Sequence, residues 1–233
     1  MGISLAMGTG GGEGAAYAGF LYVLYQSEIP VAGICACGTG VFPCLAQEPA
    51  HLAYLVHIWK HLDTSGLIPD QEAVYEALVT LFPTLRLEDC PTRLAVLACD
   101  VLKGQPVLLR EGPAAAIAAS SLWSANGPCI SNVNGCYLSD GSVFGVPVNS
   151  AARVFGRPVV ALRAVRRGKP RAGVPEILIQ AAAHRLDGAA EVVIDIEVQN
   201  GHEDDVDAWF DAGQQQAHVW EPILWSLAKE RET

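Results

Sequence analysis

The sequence predicts an α/β fold in which a mostly parallel sheet is covered by helices on both faces. Short apolar runs typical of buried strands, such as residues 3–7 and 92–100, alternate with longer segments whose apolar residues recur at helical spacing. Strands that alternate with helices in this way form parallel sheets buried on both sides. The 233 residues are 51% hydrophobic, which is enough for one large core, and we expect a single domain over residues 1–233.

The elements at the amino-terminal end place a glycine-rich loop between a strand and a helix. Ile3 to Met7 (I-S-L-A-M) is the first predicted strand, and the loop G-T-G-G-G-E-G follows at residues 8–14. Ala15 to Gln26 is predicted as a helix because its apolar and aromatic residues recur at helical spacing. Val31 to Cys35 is the second predicted strand, and another helix begins near Thr39.

The rest of the chain continues the alternation of strands and helices. We expect helices within residues 50–82, divided near 64–69, strands at 92–100 and 106–109, a helix at 114–121, short strands and turns within 124–150, strands at 158–162 and 191–198, and a closing helix at 208–229. The dipeptides Asn134-Gly135 and Asp140-Gly141 indicate tight turns.

Charge and hydropathy exclude several classes of protein. The net charge is −10 and no field of Lys and Arg dominates, so we expect no nucleic-acid partner. The basic run at residues 163–171 is short and contains Gly and Pro, and we expect a solvated loop there rather than a lipid-headgroup site. No apolar stretch reaches the roughly 18 residues that a transmembrane helix needs.

Cysteine usage indicates a reducing environment. The seven cysteines are an odd number and form no C-x-x-C motif. The chain starts with a strand-like run rather than the pattern of a signal peptide. We therefore expect free thiols and a cytoplasmic location.

The sequence offers no convincing metal or cofactor site, and we expect neither. His57 and His61 are four residues apart on a predicted helix, a spacing that can bind zinc, but no adjacent Glu completes a metalloprotease motif. The glycine loop is not a phosphate-binding P-loop, because no G-K-[ST] follows it. Cysteines 35, 37 and 44 lack metal-ligand spacing, and the acidic run at residues 202–207 is most simply a solvated turn.

Residues 31–40 have the pattern of a nucleophile elbow, G-x-S-x-G, in which a serine lies at a sharp turn between a strand and a helix. Its slots are filled by Ala36, Cys37, Gly38, Thr39 and Gly40. The central slot is a glycine, which has no oxygen to attack a carbonyl carbon. Serine chemistry at residue 38 is therefore excluded.

The glycine loop offers backbone N–H groups close to the start of a helix. Such groups can hold an anion or a developing oxyanion. Gly10, Gly11 and Gly12, together with Thr39, are therefore the candidate anion-binding residues. A purely structural turn that lets the helix pack closely on the strand explains the loop equally well.

The glycine loop, the elbow and a later Asp-Gly turn occur in the order seen in the patatin-like phospholipase family, which the chain resembles over nearly its whole length. The family pattern is G-G-G-x-R-G, then I-P before G-x-S-x-G, and much later D-G-G or D-G-A. Here residues 9–14 match the first motif, Ile29-Pro30 precedes Gly38 by the family's spacing, and Asp140-Gly141-Ser142 matches the last. The resemblance implies a three-layer α/β fold and hydrolysis of lipid acyl esters by a Ser–Asp dyad, of which Asp140 is the retained acid.

The chain departs from that pattern at the residues that carry the chemistry. Gly38 replaces the nucleophilic serine, and Glu13 replaces the arginine of the glycine loop. Thr9 in place of the first loop glycine and Tyr17 at an aromatic or histidine position are further departures. A glutamate at position 13 should disfavour negative charge that develops nearby.

The resemblance and these departures together predict a protein with a degenerate dyad that binds a fatty-acyl or lipid ligand, or acts as a regulator, without hydrolysing it. Such a protein could form a homo-oligomer or pair with a related active subunit. The alternative is an acyl hydrolase that uses Cys37, or water with Asp140. Neighbouring strand residues point to opposite faces, so we expect Cys37 to face away from the reacting centre and Thr39 to cap or pack. A mainly structural subunit is a third interpretation.

Overall fold

The computed structural model describes residues 2–8, 12–46, 49–62, 71–124, 127–166, 174–199 and 201–229. Its strands are β1 (Ile3–Met7), β2 (Val31–Ala36), β3 (Leu94–Asp100), β4 (Gln105–Leu109), β5 (Trp123–Ser124), β6 (Gly127–Pro128), β7 (Ser131–Val133), β8 (Cys136–Asp140), β9 (Val159–Ala164) and β10 (Val192–Ile196). Its helices are α1 (Ala15–Gln26), α2 (Val41–Leu45), α3 (Pro49–Leu62), α4 (Gln71–Leu81), α5 (Ala114–Ser120), α6 (Val148–Phe155), α7 (Val174–His184) and α8 (Val206–Lys229). Short 3₁₀ turns lie at Gly12–Gly14, Gly38–Gly40, Leu87–Asp89 and Gly141–Phe144.

A mixed, mostly parallel sheet lies at the centre, with helices around it. Its eight strands include the path β10-β9-β1-β2-β3-β8-β7, and β4 pairs with β3 outside that path. The strands from β10 to β3 along the path run parallel to their neighbours. The pairs β3–β4, β3–β8 and β7–β8 are antiparallel. Asn134 and Gly135 both have positive φ and close the hairpin of β7 and β8, as the predicted turn requires.

The structure confirms the predicted alternation of strands and helices. Strand β1 and helix α1 have the predicted bounds, and the closing helix α8 begins slightly earlier than expected. The prediction lacks two helices, α6 and α7. Helix α6 has 8 residues and follows a stretch rich in Gly, Pro and Ser, so its helical period is too short to stand out. Within the described residues, no helix is long and apolar enough to span a membrane.

The expected solvated loop at residues 163–171 is wrong for the first part of that run. Strand β9 extends into it, and Arg163 forms an ion pair with Asp195 on β10, with Nε 2.6 Å from Oδ1. Arg166 is also held in an ion pair, described below. Residues 167–171 lie outside the described residues.

Apolar side chains pack on both faces of the sheet. On one face, large side chains such as Leu5, Ile34 and Leu162 form a core with α1 and α8. On the other face, small side chains such as Ala6 and Ala161 pack with α6. Alternate residues along each strand therefore face different helices, as the two-residue period of a strand requires.

Helix α1 lies directly against α8 because each helix carries a glycine at the crossing. A Cβ on Gly19 would overlap the carbonyl oxygen of Phe210, and a Cβ on Gly213 would overlap that of Ala16. The two backbones are therefore in contact. This contact fixes the position of α1, whose first turn follows the glycine loop.

Candidate functional site

Two strands end at the same point along one edge of β3. Strand β2 runs parallel to β3, and its last residue, Ala36, pairs with Val96. Strand β8 runs antiparallel to β3, and its last residue, Asp140, pairs with Ala98. Strand β4 pairs with both Val96 and Ala98 and must lie along the opposite edge. Strands β2 and β8 therefore meet end to end, which brings the elbow next to Asp140.

The elbow has a strand–turn–helix shape. Cys37 is extended, with φ −141° and ψ 166°, and Gly38 has a φ of 55°, in the left-handed region. The 3₁₀ turn that begins at Gly38 leads into α2. A residue with a Cβ would be strained there by about 1–3 kcal/mol, whereas glycine adopts this conformation freely. The turn lies against the end of β1, since the N–H of Gly40 donates to the carbonyl oxygen of Gly8 at 3.2 Å.

Asp140 is enclosed by hydrogen-bond donors. The residue is 2% exposed, so its carboxylate depends on protein groups rather than on water. The Ser142 N–H donates to Oδ1 at 2.9 Å, and the Ser142 hydroxyl donates to Oδ2. The indole Nε1 of Trp123 donates to Oδ2 at 2.7 Å. Burial raises the pKa of Asp140, and these hydrogen bonds oppose the shift.

The structure thus brings together Gly38 and Asp140, which the family motifs pair. It adds two residues to which those motifs assign no role, Trp123 and Ser142. Trp123 lies in β5, and a buried tryptophan needs a partner for its indole N–H, but only the fold identifies that partner. Ser142 carries a sequence signal, because an Asp in a turn commonly accepts the N–H two residues further on. Its hydroxyl contact with Asp140 has no such signal.

Cys37 is fully buried beside the elbow. Its Sγ lies 3.7 Å from the carbonyl oxygen of Met7 and 3.8 Å from that of Gly145. Burial raises the pKa of the Cys37 thiol well above its ordinary value, and the negative charge of Asp140 adds to the shift. Since the thiolate is the nucleophilic form, a thiol that stays protonated at neutral pH is poorly suited to attack an ester.

Glu13 forms a buried ion pair rather than an isolated negative charge. The Nε of Arg166 lies 3.2 Å from Oε1 of Glu13, and the two side chains are only 6% and 8% exposed. The other side of the Arg166 guanidinium bonds the carboxylate of Asp204 and the carbonyl oxygen of Glu203. This network joins the glycine loop to the end of β9 and to the segment before α8. The cation beside Glu13 offsets the repulsion that a glutamate alone would exert on developing negative charge.

The other candidate residues of the site pack against neighbouring elements. A Cβ on Gly14 would lie 2.8 Å from both Cβ and Oγ1 of Thr39, so Thr39 packs against the start of α1. The phenol oxygen of Tyr17 accepts the N–H of Ala164 at 3.0 Å, and burial raises the pKa of Tyr17. Gly12 opens the 3₁₀ turn before α1.

Part of the candidate site lies outside the described residues. This applies to Thr9, Gly10 and Gly11 of the glycine loop, and to the side chains of His57 and His61 on α3. Among the described residues there is no group of three or more His, Cys, Asp and Glu side chains that could hold a metal ion.

The acidic run before α8 is a largely exposed turn, as predicted, and two of its carboxylates, those of Asp204 and Asp205, also form hydrogen bonds. Asp205 Oδ1 accepts the backbone N–H groups of Asp207 and Ala208 at 3.0 and 3.4 Å, as an N-terminal helix cap does. Asp204 bonds the buried Arg166. These contacts give two of its carboxylates structural roles.

Comparison with known proteins does not assign the chain to a family. No protein-family model matches it, and no curated protein matches it. The likeness to patatin-like proteins therefore rests on the three motifs and their order.

Proposed function

We propose that this chain is a patatin-like protein whose Ser–Asp dyad has lost its nucleophile and that does not hydrolyse esters. In this proposal it either binds a fatty-acyl or lipid ligand or regulates a related subunit. The position of Gly38 carries the proposal. It lies at the turn of the elbow with a φ of 55°, just after β2, whose end meets the end of β8 at Asp140. A dyad would require a serine hydroxyl at this position, and glycine cannot supply one.

Magnitudes favour this proposal over hydrolysis by another group. Removal of the serine from a serine hydrolase costs about 10⁶ in turnover, although binding and the oxyanion hole leave a residual of about 10³–10⁴ over water. The buried, protonated thiol of Cys37 is a weak substitute. Water activated by Asp140 would need an acceptor site on a carboxylate that already takes several hydrogen bonds.

The test is an esterase assay with short-chain and long-chain acyl esters. We expect the unmodified protein to be no faster than Asp140→Ala and Cys37→Ala, each checked for folding by circular dichroism. Robust hydrolysis by the unmodified protein that either substitution abolishes would overturn the proposal and identify the group responsible.

Ligand binding is tested by mass spectrometry of lipids released from the purified protein. A binding protein should release a stoichiometric acyl species, and the same protein unfolded and refolded in lipid-free buffer should lack it. Absence of any acyl species, together with a stable complex with another subunit in size-exclusion chromatography, would favour the regulatory role.

A further inference from the structure

We infer that the Ser142 hydroxyl has taken the hydrogen-bonding place of the missing nucleophile, so that Asp140 now holds its own turn and the Trp123 indole in position instead of activating a hydroxyl at residue 38. Ser142 is in this sense a positioning residue. The inference deepens the proposed function and rests on it, because it concerns a site that no longer hydrolyses esters.

The first argument is the number of donors on the Asp140 carboxylate. Ser142 supplies two donors, its N–H and its O–H. The indole N–H of Trp123 supplies a third. Each carboxylate oxygen has about two lone-pair sites, so the Ser142 hydroxyl and the Trp123 indole together occupy Oδ2. A hydroxyl introduced at position 38 would have to compete with these two donors for Oδ2.

The second argument is the position of Ser142 in the turn after β8. A Cβ on Gly141 would overlap the carbonyl oxygen of Leu97, so this glycine lies directly against β3. The close contact fixes the turn, and Ser142 then follows beneath the Asp140 carboxylate. Ser142 is 1% exposed, so water cannot replace its bond to Asp140.

A neighbouring serine provides the contrast. Ser139 is also buried, and its Oγ has no hydrogen-bond partner in the described structure. Burial of a serine in this strand end therefore does not by itself produce a bond to Asp140. Ser139→Ala is a matched control for Ser142→Ala, because each change removes one buried hydroxyl at the same end of β8.

The experiment restores the nucleophile with and without Ser142. Gly38→Ser, Gly38→Ser/Ser142→Ala and Gly38→Ser/Ser139→Ala are treated with a fluorophosphonate probe, and the modified residue and its rate are read by mass spectrometry. We expect Gly38→Ser/Ser142→Ala to react on the order of 10²-fold faster than the other two, the lower range of general-base catalysis. Its rate should fall at acidic pH as Asp140 becomes protonated.

Several results would overturn the inference. Equal rates for Gly38→Ser with and without Ser142→Ala, including no reaction in either folded variant, would show that Ser142 does not keep Asp140 occupied. Probe attached to Ser142 in the unmodified protein would make that residue a nucleophile. Hydrolysis of esters by the unmodified protein through Cys37 would instead overturn only the proposed function.

A second measurement needs no substitution at the strained position 38. The indole N–H resonance of Trp123, assigned with Trp123→Phe, reports the ionisation of Asp140 through their shared hydrogen bond. Ser142→Ala removes a donor to the charged carboxylate, so the titration of this resonance should move to higher pH. It should not move in Ser139→Ala, and an unchanged titration in Ser142→Ala would contradict the inference.

Discussion

Removing one partner of the buried pair of Glu13 and Arg166 should cost far more stability than breaking an ion pair at the surface. Removing one partner of a buried ion pair typically costs about 3–5 kcal/mol. Arg166 keeps its bonds to Asp204 and Glu203, so Glu13→Gln should cost about 3 kcal/mol, the lower end of that range. Arg166→Gln removes the cation from beside the Glu13 carboxylate, and we expect about 5 kcal/mol.

The assay is urea unfolding of both single variants and the double variant, followed by circular dichroism. The double variant should lose about 2 kcal/mol less than the sum of the single losses, because neither charge is left without its partner. The control is the same cycle on Lys60 and Asp207, whose side chains are 41% and 56% exposed and whose coupling should be near zero. Additivity within about 0.5 kcal/mol at the buried pair would refute the reasoning.

Three further predictions concern packing, pH and thiol reactivity. Gly213→Ala should lower the melting temperature, because the added Cβ would overlap the carbonyl oxygen of Ala16. This overlap should outweigh the gain of about 1 kcal/mol in helix propensity. A higher melting temperature would contradict the close crossing of α1 and α8. Burial raises the folded-state pKa of Asp140, so the native state loses stability as pH rises past about 4, the ordinary pKa of an aspartate. As pH rises from there towards the folded-state pKa, Asp140→Asn should gain unfolding free energy relative to the unmodified protein. A difference in unfolding free energy, measured with urea, that stays constant with pH would exclude the shift. Iodoacetamide at mildly alkaline pH should modify the exposed Cys136 and spare the buried Cys37 in the folded protein. If peptide mapping finds Cys37 modified as fast as Cys136, the Cys37 thiol is accessible and the prediction is wrong.

The secondary structure could be predicted wherever a segment is long or uniformly apolar. Helix α1 and strand β1 are almost uniformly apolar and buried, and both have the predicted bounds. Helix α6 does not show its period clearly, because a helix of 8 residues presents little more than two turns. Its buried face, with Val148, Ala151 and Phe155, becomes recognisable only when the sheet beneath it is known.

The site could be predicted only as far as its local motifs extend. The elbow and the Asp-Gly turn are each a contiguous motif, and the family resemblance pairs Gly38 with Asp140. The contacts of Trp123 and Arg166 could not be predicted, because they depend on how β5 and β9 are arranged in space. The repulsion expected from Glu13 could not be judged from sequence either, because its counter-ion, Arg166, lies far along the chain.

Under the proposed function, the contacts around the elbow bear on how the site came to lack its nucleophile. A serine lost by a single change would leave its surroundings suited to a serine, with an acceptor site open on Asp140. Here Ser142 bonds that carboxylate, and Arg166 compensates the charge of Glu13. Glycine at position 38 also removes the strain that a side chain would suffer at a φ of 55°. The departures at Gly38 and Glu13 are thus each matched by a stabilising feature, which is the pattern expected when stability is favoured over catalysis. Gly38→Ser alone should therefore recover little ester hydrolysis, because Ser142 already bonds the Asp140 carboxylate that a serine at position 38 would need.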